Sequence, residues 1–242
     1  LHFTHMDLSD PDPFPNNVEN PLGAGRLGPF TDVADPTVDA ASIEATHDGS
    51  VPFAETYIYG KVDIKSSAYD TIGTFSPVCI YKIGYRIKDK TDWIWNIKFD
   101  TNPTETDINF DACYAPTSSK TVYKYWVTNN PFAAANPDTG YYWNTKQKAG
   151  ADVDAGNNLE ARFPDGEYEI QVRAEDISGN SDEEGIVKRV DNFPPTVYSA
   201  APGDEKVPVH TVITVIFTEK MDQAKVQSDF TLKCGGQAIP GE

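Results

Sequence analysis

Four histidines are the residues of this chain best suited to acid–base or metal chemistry: His2, His5, His47 and His210. A nucleophilic mechanism would place a serine or cysteine beside such a base. The sharp G-x-S-x-G turn that presents a catalytic serine is missing from the sequence. His47 lies in a polar segment and His210 precedes an apolar run, so neither has a nucleophile at a recognisable spacing. We expect no catalytic site in this chain.

Aromatic residues offer a second kind of chemistry, the stacking of flat rings on sugars. Tyr141, Tyr142 and Trp143 follow a turn signal at 137–140. Rings that project from a β-sandwich can stack on a saccharide while acidic and amide side chains bind its hydroxyl groups. We predict that these three residues form an exposed carbohydrate-binding site. Its ligand would be peptidoglycan or a surface polysaccharide.

A second aromatic pair, Trp93 and Trp95, has a different interpretation. In an extended strand these two residues lie on the same face as Ile97 and Phe99. Such an apolar stripe predicts burial in a core, where each large side chain contributes about 1.5–3 kcal/mol. We therefore expect Trp93 and Trp95 to pack inside the protein.

The acidic residues raise the question of calcium. Asp152, Asp154 and Gly156 partly follow a calcium loop, but the position that closes an EF-hand with glutamate holds Phe163. A calcium site of another kind, at a joint between modules, is one alternative. Its candidate ligands are Asp176, Asp191 and Glu219. The other interpretation is a solvated acidic surface.

The overall composition argues against several partners. The chain has 37 acidic and 20 basic residues, and its net charge of −17 repels the phosphate backbone of nucleic acids. The same charge disfavours binding to an anionic membrane surface. No run of about 18 apolar residues is present, so we expect no membrane-spanning helix.

The three cysteines, Cys79, Cys113 and Cys234, lack the C-x-x-C spacing of a metal site. Two interpretations of Cys79 and Cys113 stay open. They could form a disulfide within the middle of the chain, or they could be small free thiols in a core.

The elements that would position these residues are strands. Residues 167–175 alternate, with Tyr168, Ile170, Val172 and Ala174 on one face of a half-buried strand. Turn signals flank this strand, and a second strand at 186–190 ends before two prolines. The pattern is typical of the last hairpin of an immunoglobulin-like or fibronectin-like β-sandwich.

Many short β-branched and aromatic runs with turn signals between them predict an all-β fold of tandem sandwich modules. We predict three segments. Residues 1–50 are the remnant of an upstream domain and a linker rich in proline and aspartate, residues 51–193 form an elaborated sandwich, and residues 194–242 form part of another module. About 100 residues make a complete sandwich, so we expect the last module to be truncated.

The last segment resembles a known family. Its spaced elements are P-G-D at 202–204, V-P-V at 207–209, I-T-V-I-F-T-E-K-M-D at 213–222 and F-T-L at 230–232. In this order they resemble the SbsA-type bacterial immunoglobulin-like module of S-layer proteins. The resemblance implies a structural module of a secreted or cell-surface protein.

The first residues resemble a second family. Leu1-His2-Phe3, followed by N-P-L at 20–22, is similar to the end of a lysostaphin-type (LytM-like) zinc endopeptidase, which acts on peptidoglycan. The resemblance implies that His2 ligates zinc and that the other ligands precede Leu1. The glutamate that usually follows the phenylalanine in this family is Thr4 here.

We therefore expect non-catalytic structural or accessory modules of a bacterial protein that is extracellular or in the cell envelope. The first alternative is an accessory region of a zinc-dependent peptidoglycan endopeptidase, and the second is a carbohydrate-binding sandwich. We expect that this chain binds no cofactor. A zinc ion would belong to the parent protein, and calcium binding is the alternative described above.

Overall fold

The computed structural model describes residues 32–49, 51–71, 77–100, 108–119, 122–203, 208, 210–219, 221–234 and 236–239, and two short strands at 5–6 and 18–19. The chain divides into two compact units, 1–192 and 193–242. Strands dominate the described residues, which confirms the predicted all-β class. Within them, no helix has the length and apolar composition needed to cross a membrane.

The described residues of the first unit form β1 to β12 and one short helix. The strands are β1 (His5–Met6), β2 (Val18–Glu19), β3 (Thr37–His47), β4 (Tyr57–Ile58), β5 (Lys61–Thr71), β6 (Pro77–Val78), β7 (Lys82–Ile87), β8 (Ile94–Lys98), β9 (Lys124–Trp126), β10 (Trp143–Asn144), β11 (Gly166–Glu175) and β12 (Ser181–Val190). The helix is α1 (Phe110–Cys113), and the side chain of Asn109 caps its N-terminus. Strands β1 and β2 pair with each other.

One sheet of this unit is arranged around β5. Strand β3 pairs antiparallel along one edge of β5, and β9 and β10 pair with it in succession along the other. Strand β6 pairs with the C-terminal end of β5. The register places Thr46 opposite Asp63, and Trp143 opposite Val62. The second of these pairs brings Trp143 to the edge of the core.

The other sheet has the order β4-β12-β11-β7-β8. The β11–β12 hairpin pairs over ten residues of each strand, from Gly166 opposite Val190 to Glu175 opposite Ser181. Alternate residues of β11 are buried, as the sequence predicted: Tyr168, Ile170, Val172 and Ala174. Strand β4 joins β12 in parallel.

The apolar faces of the two sheets share one core. From the first sheet the core takes Val38, Ile43, Val62, Ile64 and Ala68, and from the second it takes Ile83, Tyr85, Ile87, Ile97, Ile170, Val172 and Val190. Each such side chain contributes about 1.5–3 kcal/mol when it is removed from water. This shared core holds the two sheets together.

The prediction of a linker over residues 1–50 is wrong for its last part. Residues 37–47 form the long strand β3, whose side chains Val38 and Ile43 are buried. The register of β3 on β5 shifts between Asp39 and Glu44. This irregularity interrupts the alternation of inward and outward residues, so no period of two is visible in the sequence.

The predicted burial of Trp93 and Trp95 is also wrong. The register of β7 and β8 shifts so that Ile97 lies opposite Ile83 while Ile94 lies opposite Tyr85. Two residues of β8 therefore face one residue of β7, which is a β-bulge. Ile94 takes the inward position, and both tryptophans lie half-buried on the outer face.

On that outer face, the tryptophans lie against cations. The ring of Trp95 is 4.3 Å from Lys82 Nζ, and the ring of Trp93 is 4.6 Å from the guanidinium carbon of Arg86. The two indole centroids are 5.7 Å apart. Cation–π attraction of about 0.5–1 kcal/mol per exposed pair stabilises this arrangement.

Of the two interpretations of the cysteine pair, the structure shows free thiols. Cys79 is exposed and Cys113 is buried, and neither forms a disulfide. Burial raises the pKa of the Cys113 thiol to about 12. Cys113 is therefore a protonated core residue at neutral pH.

The second unit contains β13 (Val197–Ala201), β14 (Thr214–Phe217), α2 (Gln223–Asp229), β15 (Leu232–Cys234) and β16 (Gln237–Ile239). Strands β13 and β14 pair antiparallel, as do β15 and β16. The Asp222 carboxylate caps α2 by accepting hydrogen bonds from the main-chain nitrogens of Ala224 and Lys225.

Candidate ligand-binding cleft

A cleft of about 250 Å³ opens beside the core of the first unit. Apolar members of its lining come from β7, β8, β10 and the segment before β11: Tyr85, Ile87, Ile94, Trp143 and Phe163. The remaining lining residues are mostly polar: Thr91, Gly140, Tyr142, Asn144, Gln147, Asp152 and Arg162. Small-molecule sites combine apolar side chains with convergent polar groups, and polar groups form the larger share of this lining.

Trp143 forms part of the apolar wall. Only 4% of its surface is exposed, and its ring makes edge contacts with Phe163 at 5.4 Å and Tyr168 at 6.3 Å between centroids. Its indole Nε1–H group has no hydrogen-bond acceptor among the described residues. A buried donor without a partner costs about 1–3 kcal/mol. The prediction of an exposed Trp143 is therefore wrong, although the residue does line the cleft.

A hydrogen-bonded clamp holds β10 and its tryptophan in place. The side chain of Asn192 accepts a hydrogen bond from Gly60 N at 2.9 Å and donates one to Thr145 O at 3.0 Å. Thr145 N in turn donates to Gly60 O at 2.9 Å. The end of β12, the turn before β5 and the end of β10 are thereby tied together.

The two tyrosines of the predicted site differ in position. Tyr142 lines the cleft, and Lys61 Nζ lies 4.3 Å from the centroid of its ring. Tyr141 is half-buried and is not part of the cleft lining. The structure therefore brings Tyr142 and Trp143 together at the cleft and leaves Tyr141 beside it.

A tight turn delivers Tyr142 to this position. Gly140 N donates to Asn136 O at 2.9 Å, and Asn136 has a left-handed backbone with φ of 50°. A β-carbon on residue 140 would approach the same oxygen to 2.8 Å. Glycine is needed at residue 140 for this turn to close.

Hydrogen bonds fix part of the polar rim of the cleft. Asn144 Nδ2 donates to Asp154 Oδ1 at 2.9 Å, so Asp154 holds Asn144 in place. Arg162 donates through Nη1 to Gln147 Oε1 at 3.2 Å and through Nη2 to Lys90 O at 3.1 Å. These side chains are held in place before any ligand binds, which lowers the entropic cost of binding.

Other polar groups of the rim remain available. The Asp152 carboxylate is exposed, and no hydrogen bond or ion pair to it is found in the described part of the chain. The amide nitrogen of Gln147 donates to no described residue. Carboxylate, amide and guanidinium groups in one cleft can bind several hydroxyl groups of a polyol.

Sequence reasoning did not single out Asn144, Gln147 or Arg162, and it weighed Asp152 only as a calcium ligand. Isolated bridges such as Gln147 with Asp154 bring these residues together within an irregular segment. Such a segment has no periodicity, so the sequence contains no signal for the rim.

Three carboxylates elsewhere in the first unit form a candidate metal centre. The ligand oxygens of Asp32, Asp70 and Asp176 all lie within 4.8 Å of one another. Asp176 accepts hydrogen bonds from Asn180 N at 2.8 Å and Asn180 Nδ2 at 2.7 Å, and Asp70 accepts one from Thr71 N at 2.7 Å. Burial, with repulsion from Asp32 and Asp176, raises the pKa of Asp70. Oxygen ligands of this kind suit calcium.

The other calcium candidates lie elsewhere. Asp152 and Asp154 take different positions, one on the rim of the cleft and one bound to Asn144. Asp191 and Glu219 belong to different compact units. Of the candidate calcium ligands at the joint, the structure places Asp176 in the three-carboxylate cluster.

The histidines show no shared site in the described residues. His2 lies outside the part of the chain that the structure describes, so zinc ligation by His2 stays a prediction. The ring of His47 packs against Phe53 at 3.8 Å and Tyr59 at 5.0 Å between centroids. His210 is exposed.

Comparison with known proteins adds no relative: no family model, no curated protein and no solved structure matches this chain.

Proposed function

We propose that the first unit is a non-catalytic carbohydrate-binding β-sandwich of the immunoglobulin-like type, within a secreted or cell-surface protein. The observation that supports this proposal is the cleft, in which Tyr142 and the buried Trp143 lie beside a polar rim that is already ordered. Aromatic rings bind the apolar face of a sugar, and the rim groups bind its hydroxyl groups.

The size of the cleft limits the ligand. Its volume of about 250 Å³ lies just below the range of about 300–1,000 Å³ that is common for small-molecule sites. A cleft of this size accommodates a single sugar ring or the end of a chain. The ligand is therefore a terminal residue of a polysaccharide or of peptidoglycan.

The chemistry of the rim favours a hydroxylated ligand over an apolar one. A sugar hydroxyl can donate to the Asp152 carboxylate while its oxygen accepts from Gln147 or Arg162. An apolar ligand would leave these groups without partners, which costs free energy.

Two neighbouring tyrosines provide a matched test. Tyr142→Ala removes a ring of the cleft, whereas Tyr141→Ala removes an adjacent ring that does not line it. We expect Tyr142→Ala to weaken binding of a glycan by about tenfold, equivalent to about 1.4 kcal/mol, and Tyr141→Ala to leave it unchanged. Isothermal titration with glycans found by array screening measures this effect. Equal losses in both variants, or no glycan bound by the unchanged chain, would overturn the proposal.

A structural role in a bacterial envelope protein is the second candidate. It is supported by the organisation of the chain into two compact strand-rich units in succession and by the S-layer-like pattern of residues 202–232. In this role the units act as spacers or adhesive modules, also next to a zinc endopeptidase domain. A chain that binds isolated cell walls equally well after Tyr142→Ala would favour the structural role.

A further inference from the structure

A second candidate site, with buried polar groups that lack partners, lies away from the cleft at Asp63, near the N-terminal end of β5. The neighbours of Asp63 on the strand, Val62 and Ile64, point into the core, so the Asp63 side chain points to the opposite face of the sheet. Only 2% of Asp63 is nevertheless exposed. Its carboxylate accepts hydrogen bonds from Gly49 N at 3.0 Å and from Thr128 Oγ1 at 3.3 Å.

This buried carboxylate has no cationic partner among the residues that the structure describes. Among the described residues, no lysine or arginine nitrogen lies within 4.0 Å of Asp63 or of its neighbour Asp48. Burial first, and then the negative charge of Asp48, oppose ionisation of Asp63 and raise its pKa to about 6. An uncompensated charge in such a position is costly.

Three buried oxygens without hydrogen-bond partners belong to residues next to Asp63 in the sheet or next to its hydrogen-bond donors in the chain. Within the described part of the chain, Thr46 Oγ1, Asp48 Oδ1 and Asn129 Oδ1 are inaccessible to solvent and have no hydrogen-bond donor or acceptor. Thr46 and Asn129 are only 4% and 3% exposed. Buried polar atoms of this kind normally have a partner.

The fold brings the residues that carry these oxygens close to Asp63. Thr46 lies directly opposite Asp63 on β3, and side chains of such a pair have β-carbons about 4.5–5.5 Å apart on the same face. Asp48 immediately precedes Gly49, whose nitrogen binds the Asp63 carboxylate. Asn129 immediately follows Thr128, whose hydroxyl also binds it.

We propose that Asp48, Asp63, Thr46 and Asn129 form a calcium-binding site. The donors are carboxylate, hydroxyl and amide oxygens, which are the ligands of hard cations. Two carboxylates would balance the charge of a divalent ion. Calcium fits better than magnesium because it accepts irregular cages of 6–8 oxygens, whereas magnesium retains several waters and demands octahedral geometry.

The ion would have a structural consequence for the unit. It would connect the end of β3 and the β9–β10 loop (127–142) to the N-terminal part of β5. That loop carries the Gly140 turn, which leads to Tyr142 and the cleft. Calcium would therefore order the approach to the cleft without touching a bound ligand.

The test measures calcium binding and thermal unfolding of the full chain after treatment with a chelator, at about pH 7. We expect one calcium site and a rise in Tm of about 5 °C at a hundredfold excess of calcium over Kd. Asp63→Asn should abolish both. Asp89→Asn, which removes one exposed charge at a turn where asparagine is tolerated, should change neither.

Further variants separate this site from the three-carboxylate cluster. Asp70→Asn should preserve calcium binding. Thr46→Val, which removes only the hydroxyl oxygen that would bind calcium, should weaken calcium binding by about tenfold. Terbium luminescence provides a second readout that does not depend on stability if Asp63→Asn folds poorly. Loss of binding in Asp70→Asn with retention in Asp63→Asn would assign the ion to the other cluster and overturn the proposal. No calcium-dependent shift in the Tm of the unchanged chain, with no terbium bound, would also overturn the proposal.

Discussion

At the scale of single residues, Asp63 titrates in surroundings that favour its neutral form. Its pKa in the folded chain is about 6, whereas an unperturbed aspartate has a pKa near 3.9. The folded state therefore binds this proton more tightly than the unfolded state does. Stability from this group is present below about pH 4 and is lost as the pH rises through about 6.

We predict a difference in pH dependence between two calcium-free proteins. From about pH 4 to about pH 7, the free energy of unfolding of the unchanged chain should fall, relative to that of Asp63→Asn, by at most about 3 kcal/mol. Urea denaturation at several pH values measures this difference. The other carboxyl groups contribute equally to both proteins, so the difference reports on Asp63. Parallel curves for the two proteins would show that Asp63 ionises normally.

The predicted sugar-binding residues show what sequence reveals at this scale. Tyr142 and Trp143 could be singled out because an aromatic run after a turn is unusual enough to notice. Their exposure could not be predicted, because the burial of Trp143 depends on its pairing with Val62, 81 positions earlier in the chain. The same limit applies to Thr46 and Asp63, which become partners only when β3 pairs with β5.

At the scale of elements, the bulge between β7 and β8 depends on Gly84. A β-carbon there would lie 2.8 Å from the Trp95 ring and would also collide with the main-chain oxygen of Ile94. We predict that Gly84→Ala destabilises the first unit by about 1–3 kcal/mol, the usual cost of overpacking. Thermal or urea unfolding measures the loss.

The control for this prediction is Gly156→Ala. A β-carbon at Gly156 would approach only the end of a glutamate side chain, at 4.0 Å, so we expect almost no change in stability. A similar loss of stability in both variants would contradict the assigned role of Gly84.

The sequence predicted the buried face of a strand correctly where the strand keeps a regular register with its neighbour, and incorrectly where the register shifts. In β11 every residue keeps its register with β12, so the alternation of its buried residues could be read directly. In β3 and β8 a shift in register reverses which residues face the core. A period of two cannot locate such a shift, and the linker assigned to residues 37–47 and the burial assigned to Trp95 were wrong for this reason.

At the scale of the whole molecule, the net charge of −17 determines which glycans can approach. We predict that binding of a neutral glycan changes less than about twofold between about 20 and about 300 mM NaCl, because no net ligand charge is involved. Binding of an anionic polymer such as a phosphate-containing wall polysaccharide should strengthen with salt as repulsion is screened. Titrations at the two salt concentrations check both outcomes, and affinity for an anionic polymer that falls with salt would show that local cations dominate.

The Asn192 clamp has a consequence for how the first unit responds to mechanical load. Hydrogen bonds from one side chain join the last residue of the unit to Gly60 and Thr145, and Asp191 N donates to Ile58 O beside them. A tensile force on the chain beyond residue 192 would act on these bonds together, before the strands behind them begin to separate. Bonds loaded in parallel rupture at a higher force than bonds that open in sequence. We therefore expect the C-terminal end of this unit to resist a pulling force.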